Sequence, residues 1–188
     1  MQDFEYKEIN GKIELTKYLG NEKEVVIPSE INGKPVISIG PACFLMSKLE
    51  SVVLSDNILE IKDNAFNSCS NLNEVLFNDI LVNIGSNAFC GCRSLKEIVF
   101  PPYLEKIEDY AFSWCSGLEE VHFPFGLIEI GEKGFCFCSK LKTVFLHENV
   151  EYVGGFCFTG CRNEENPNFT VYTDPNCDTN SWDKNWYL

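Results

Sequence analysis

Ile84-Gly85-Ser86-Asn87-Ala88-Phe89-Cys90-Gly91-Cys92-Arg93-Ser94-Leu95-Lys96-Glu97-Ile98-Val99-Phe100-Pro101 is the stretch from which the rest of the chain can be read, because its frame recurs. It returns as Ile61, Ala65-Phe66, Cys69, Leu72, Val75 and Phe77, and again as Ile107, Ala111-Phe112, Cys115, Leu118, Val121 and Phe123. A further copy has Ile130, Gly134-Phe135, Cys138, Leu141, Val144 and Leu146. The framework phenylalanines are Phe44, Phe66, Phe89, Phe112, Phe135 and Phe158, spaced by 22 residues once and then by 23. A strict period of this length marks a solenoid, in which each unit is too small to close a core and buries its apolar edges by stacking on its neighbours.

One unit can be followed along its own pattern. Ile98 and Phe100, two apart among β-branched and aromatic residues, belong to one face of a short strand, and Glu97 and Val99 to the other. After a turn, which carries Pro28, Pro101 or Pro124, a second extended piece delivers Ile61, Ile84, Ile107 or Ile130 to the interior. Asp63, Ser86 and Asp109 then stand where a side-chain oxygen caps a one-turn helix holding Ala, Phe and Cys at i, i+1 and i+4. Pro41, Glu132 and Gly155 in the same slot make that cap a preference.

The ends differ from the middle. Phe4 to Ile9, Asn10-Gly11, and Lys12 to Tyr18 predict a β-hairpin with a type I′ turn ahead of the strand Val25-Val26-Ile27-Pro28. Beyond Cys161 the frame dissolves through Arg162 to Pro167, a strand remains at Phe169 to Tyr172, and Trp182, Trp186 and Tyr187 suit a turn over the last coil. The expected organisation is one domain over residues 1–188, with a hairpin cap at 1–24, repeats at 25–161 and a C-terminal cap at 162–188.

These residues resemble the BspA-like leucine-rich repeats, whose unit runs Ile-Gly-x-x-Ala-Phe-x-x-Cys-x-x-Leu-x-x-Val/Ile-x-Phe/Leu-Pro. The stretch from Ile84 to Pro101 matches every framework position, and the segment Val25 to Gly40 resembles the family's opening repeat. Departures are local. Ser47 replaces the first cysteine, Gly134 and Cys157 replace Ala, Lys62 and Glu108 replace Gly, and the last copy lacks its leucine. The resemblance implies a right-handed leucine-rich-repeat superhelix with a parallel β-sheet on its concave face, without catalysis. It also implies a bacterial or protozoan surface protein concerned with adhesion or protein binding, and it fixes no binding residues.

Composition is consistent with this. A chain of 188 residues, 45% hydrophobic and 23% charged, can build a substantial core. Lys+Arg 15 against Asp+Glu 28 gives −13, which argues against nucleic acid and anionic membranes and for a basic or amphipathic partner. No run of about 18 apolar residues suggests membrane insertion. Met1 to Glu5 lacks the basic start and apolar run of a signal peptide, which leaves a cytoplasmic location open beside the surface location that the resemblance implies. The expected state is a monomer.

Outward strand positions form rows across the expected sheet. Val26, Val53, Leu76, Val99, His122 and Phe145 make an apolar strip, edged by Glu24, Ser51, Glu74, Glu97, Glu120 and Thr143. A third row holds Pro28, Ser55, Asn78, Pro101, Pro124 and His147. Val53, Leu76, Val99, His122 and Phe145 with Glu74, Glu97 and Glu120 are the candidate partner-binding residues, although β-branched residues also stack well along a ladder with no ligand at all. Two alternatives stand beside protein binding: a structural or self-assembling repeat, and a carbohydrate- or calcium-binding module, the latter requiring six to eight converging oxygens.

Of the 10 cysteines, Cys69, Cys92, Cys115, Cys138 and Cys161 follow the repeat and are expected inside as small apolar side chains, with Cys43 and Cys157. Cys90, Cys136 and Cys177 are the candidates for exposed thiols, and free thiols in this number favour a reducing setting. Cys90-Gly91-Cys92 and Cys136-Phe137-Cys138 have a metal-site look but lack clustered histidines. His122 and His147 are the only histidines, with no nucleophile or phosphate loop near them, so neither an enzyme nor a cofactor is expected. Asn168-Phe169-Thr170 is a glycosylation triplet of low specificity.

Overall fold

The structure is a computed structural model describing residues 3–186; Met1 at the chain start and Tyr187 of the aromatic ending, with Gln2 and Leu188, lie outside the described residues. It is a β-solenoid of about seven turns with parallel sheets. The hairpin β1 (Phe4–Ile9) and β2 (Lys12–Tyr18) turns at Asn10 and Gly11, whose φ of 51° and 78° are the two positive values a type I′ turn needs. A second such turn, at Asn32 (φ 53°) and Gly33 (φ 72°), joins β4 (Glu30–Ile31) to β5 (Lys34–Ile39) within the segment expected as the opening repeat.

Two-residue strands carry the framework isoleucines: β7 (Glu60–Ile61), β9 (Asn83–Ile84), β11 (Lys106–Ile107), β13 (Glu129–Ile130) and β15 (Tyr152–Val153). With the hairpin and β5 they form one nine-stranded sheet in the order β1-β2-β5-β7-β9-β11-β13-β15, with β4 paired to β5. The other strand of each coil does not make one sheet, as the rows had suggested. β3 (Glu24–Val26), β6 (Ser51–Val53) and β8 (Glu74–Leu76) form a three-stranded ladder. β10 (Glu97–Val99), β12 (Glu120–His122), β14 (Thr143–Leu146) and β16 (Thr170–Thr173) form a separate four-stranded one.

The expected one-turn helices are replaced by turns. In each coil the residues two before and two after the framework phenylalanine are left-handed, as at Asn64 (φ 59°) and Ser68 (φ 60°), or Tyr110 (φ 58°) and Trp114 (φ 62°). Alternating hand directs every second N–H to the next coil: Tyr110, Phe112 and Trp114 donate to the carbonyls of Glu132, Gly134 and Cys136 at 2.8, 2.8 and 2.7 Å. Those bonds hold bulky residues in a conformation that costs about 1–2 kcal/mol each. Asp63 and Asp109 accordingly cap no helix; their carboxylates accept N–H from Ser86 at 3.1 Å and Glu132 at 2.7 Å, one coil on. This close approach explains the Ile-Gly pair. A Cβ on Gly131 would lie 2.5 Å from the backbone nitrogen of Asp109, and one on Gly85 would lie 2.8 Å from that of Asp63.

The core is a set of ladders running along the stack. Phe44, Phe66, Phe89, Phe112 and Phe135 stack with ring centroids 4.8, 5.0, 5.1 and 5.2 Å apart, and Phe158 follows at 5.9 Å. Each ring buried this way contributes about 2–3 kcal/mol. The five repeat cysteines are fully buried, as expected, and each thiol donates to the carbonyl of an earlier framework phenylalanine, for example Cys92 to Phe66 at 3.2 Å and Cys115 to Phe89 at 3.1 Å. Cys43 and Cys157 are buried too. Cys136, expected outside, is also buried, its left-handed neighbour Phe137 having turned outward in its place. At the C-terminal end Trp182 is buried and meets Trp186 edge-on at 4.9 Å. At the other, Phe4 and Tyr18 of the hairpin cover Phe44 at 5.9 and 5.0 Å.

Candidate interaction face

Strand alternation decides which side chains face water. Ile98, Val121 and Val144 point in, so Val99, His122 and Phe145 and their counterparts in other coils point out. Leu76 is 49% exposed, Val99 61% and Phe145 44%, while Val53 is half-buried. The strip reaches further than expected: Tyr172, in register opposite Phe145, is 57% exposed. The irregular 27-residue step between those two residues hides Tyr172 from a 23-residue frame. His147 lies edge-on to both Phe145 (5.0 Å) and Phe125 (5.7 Å), so this end of the strip is aromatic.

Glu97 and Glu120 stand opposite each other in register, as the row predicts. Glu74 occupies the same row but lies across the break between the two ladders. Some glutamates elsewhere on the surface meet lysines, as Glu50 meets Lys23 at 2.6 Å and Glu119 meets Lys142 at 2.8 Å, while others among the described residues, such as Glu105 and Glu151, do not. Among the described residues, Glu24, Glu74, Glu97 and Glu120 have no lysine within ion-pair distance. Their one cationic candidate is His122, whose Nε2 is 3.8 Å from Glu97 and 3.9 Å from Glu120, beyond hydrogen-bond length.

Glu97, Glu120 and His122 bring three potential metal donors within 4.8 Å of one another, all on exposed side chains. Two oxygens and a nitrogen fall well short of the oxygen set that calcium needs. His147 lies apart, against Phe145 and Phe125. Burial pushes the Cys43 and Cys69 thiols up to about 12 and raises Cys90 and Cys177 as well. Among the described residues, no helix is long and apolar enough to cross a membrane.

Parallel short-strand coils with stacked framework residues define a leucine-rich-repeat scaffold, a class that is generally non-catalytic. Within it, the chain belongs to the BspA-type leucine-rich-repeat family, whose profile matches residues 35–170 in 6 copies. A leucine-rich repeat protein of T. pallidum is 32% identical, with 91% of this chain and 79% of that one covered and a TM-score of 0.84. A leucine-rich repeat protein from Bacteroides capillosus is 29% identical over 64% of this chain and 93% of that one, with a TM-score of 0.60. A leucine rich cell surface protein from Faecalibacterium prausnitzii shares the fold at 24% identity and a TM-score of 0.67, over 94% of this chain and 54% of that one. No curated protein matches the chain. Membership makes it a protein-interaction or structural repeat module.

Proposed function

We propose that the chain binds another protein through the outward face of the three- and four-stranded ladders, using Val53, Leu76, Val99, His122 and Phe145 with Glu74, Glu97 and Glu120. The observation that carries this reading is the coincidence of two costs on one face. A run of large apolar side chains from Val26 to Tyr172 stays in water, and the glutamates beside it stand without lysines. A basic or amphipathic partner relieves both, since it buries the strip and neutralises the row. Like charges about 5 Å apart in water repel by roughly 1 kcal/mol, so the row is tolerable when free and favourable when bound.

The test compares capture of an identified partner by three forms: the unaltered chain, Leu76→Ser with Phe145→Ser, and Tyr152→Ser on the nine-stranded sheet. The reading expects loss only in the double variant. Equal capture by all three would show that this face is not the one used.

A further inference from the structure

We infer that the break between the two ladders is a receptor for a cationic side chain, an arginine above all, of a partner segment lying along the strand face. This rests on the proposal above and locates its anchor. At the other well-bonded junctions a fixed set of backbone bonds joins the coils. The carbonyls of Lys23, Glu50 and Lys96 each accept two N–H groups from the next coil, Glu50 for instance from Asn73 at 2.8 Å and Glu74 at 3.3 Å. Among the described residues, Asn73 holds the same position in the third coil and accepts none, and the Phe77 N–H, like that of Phe123 two coils on, donates to none, whereas its counterparts on Leu54 and Phe100 donate to Leu76 and His122. The edge of the β8 coil that faces β10 thus carries an open acceptor at Asn73 and an open donor at Phe77.

The opening is a cleft of about 740 Å³. Leu76 and Val99 are its exposed apolar sides, and Glu74 and Glu97 stand on opposite banks with Lys96 as the one cation in the lining. Below, the rings of Phe77 and Phe100 still stack at 5.9 Å. An inserted strand would need the flanking strands about 9.5 Å apart, so the floor excludes one. A single long side chain fits instead. The apolar stem of arginine suits Leu76 and Val99, while its fork of five N–H donors suits two carboxylates and the free Asn73 carbonyl. Lysine brings three donors and a compact charge, and is the weaker occupant.

The test titrates the ¹⁵N-labelled full chain with acetyl-Leu-Arg-Leu-amide and with the same peptide carrying uncharged citrulline in place of arginine. Saturable shifts at the amides of Glu74, Phe77, Glu97 and Val99 with the arginine peptide alone are expected. Glu74→Gln combined with Glu97→Gln should weaken binding at least about ten-fold. Shifts centred on Glu120 and His122 would overturn the cleft while leaving the strand face as the binding surface. Equal response to citrulline, or no response to either peptide, would also overturn it, and the capture experiment above would still decide the face independently.

Discussion

The ammonium of Lys62 lies 2.6 Å from Oε2 of Glu14, tying the hairpin to a coil 48 residues further along. Glu14 is buried, Lys7 stands 2.6 Å from its other oxygen, and the Ser38 hydroxyl donates to it at 3.3 Å. Burial pushes the Glu14 carboxyl up, but the hydrogen bonds and charges of Lys62 and Lys7 outweigh it and hold the group below its usual 4.5. Its contribution is therefore present above the unfolded value of 4.5 and is lost as pH falls through the lower folded one. Lys62 is raised above 10.5, chiefly by Glu14, so its contribution is full below 10.5 and is lost as pH rises through the raised value. Glu14→Gln should cost about 2 kcal/mol, below the loss for a fully buried pair because both lysines reach water. Denaturant melts at pH 7 and pH 3 measure it, and the difference between the two proteins should shrink at pH 3.

Gly131→Ala should destabilise the stack by about 2–3 kcal/mol, because the new methyl meets the Asp109 backbone and the coils must part. Urea unfolding of the variant decides it. An unchanged midpoint would mean that the coils separate freely there.

The thiols should divide by exposure. All 10 are free, and only Cys90 and Cys177 have partial access to solvent. A thiol reagent at pH 7 should modify those two slowly, faster at pH 9, and reach the remaining eight only after denaturation.

Much of this was legible in the sequence and some was not, for definable reasons. The 23-residue frame placed the six framework phenylalanines and the ladder cysteines, and Asn10-Gly11 announced its own turn. Ala, Phe and Cys at i, i+1 and i+4 imitate a helix. The contrary signal was Asn64, Asn87, Gly91 and Gly160 in the left-handed slots, masked where Tyr110, Trp114 and Phe137 fill them. The buried Glu14 was invisible because its partner Lys62 is distant in the chain and its own strand reads as an ordinary hairpin. Of the candidate face, the rows and their exposure were readable from strand alternation. The ladder break was not, since Val75 and Leu76 are good strand formers and the bonds missing at Asn73 and Phe77 leave no mark on composition.

Those missing bonds predict local exchange behaviour. The amide of Phe77 should exchange with solvent at least about ten-fold faster than those of Leu54 and Phe100, which donate at 2.9 and 3.3 Å. Equal protection at all three, read by NMR, would mean that the ladder is continuous in solution.

The central claim, that the outward face of the three- and four-stranded ladders is the surface a partner meets, is tested most directly by photocrosslinking. Benzoylphenylalanine placed at Val99 or at Phe145 should give a covalent adduct with the captured partner, and at Tyr152 on the nine-stranded sheet it should give none. Adducts from Tyr152 with none from Val99 or Phe145 would contradict the account.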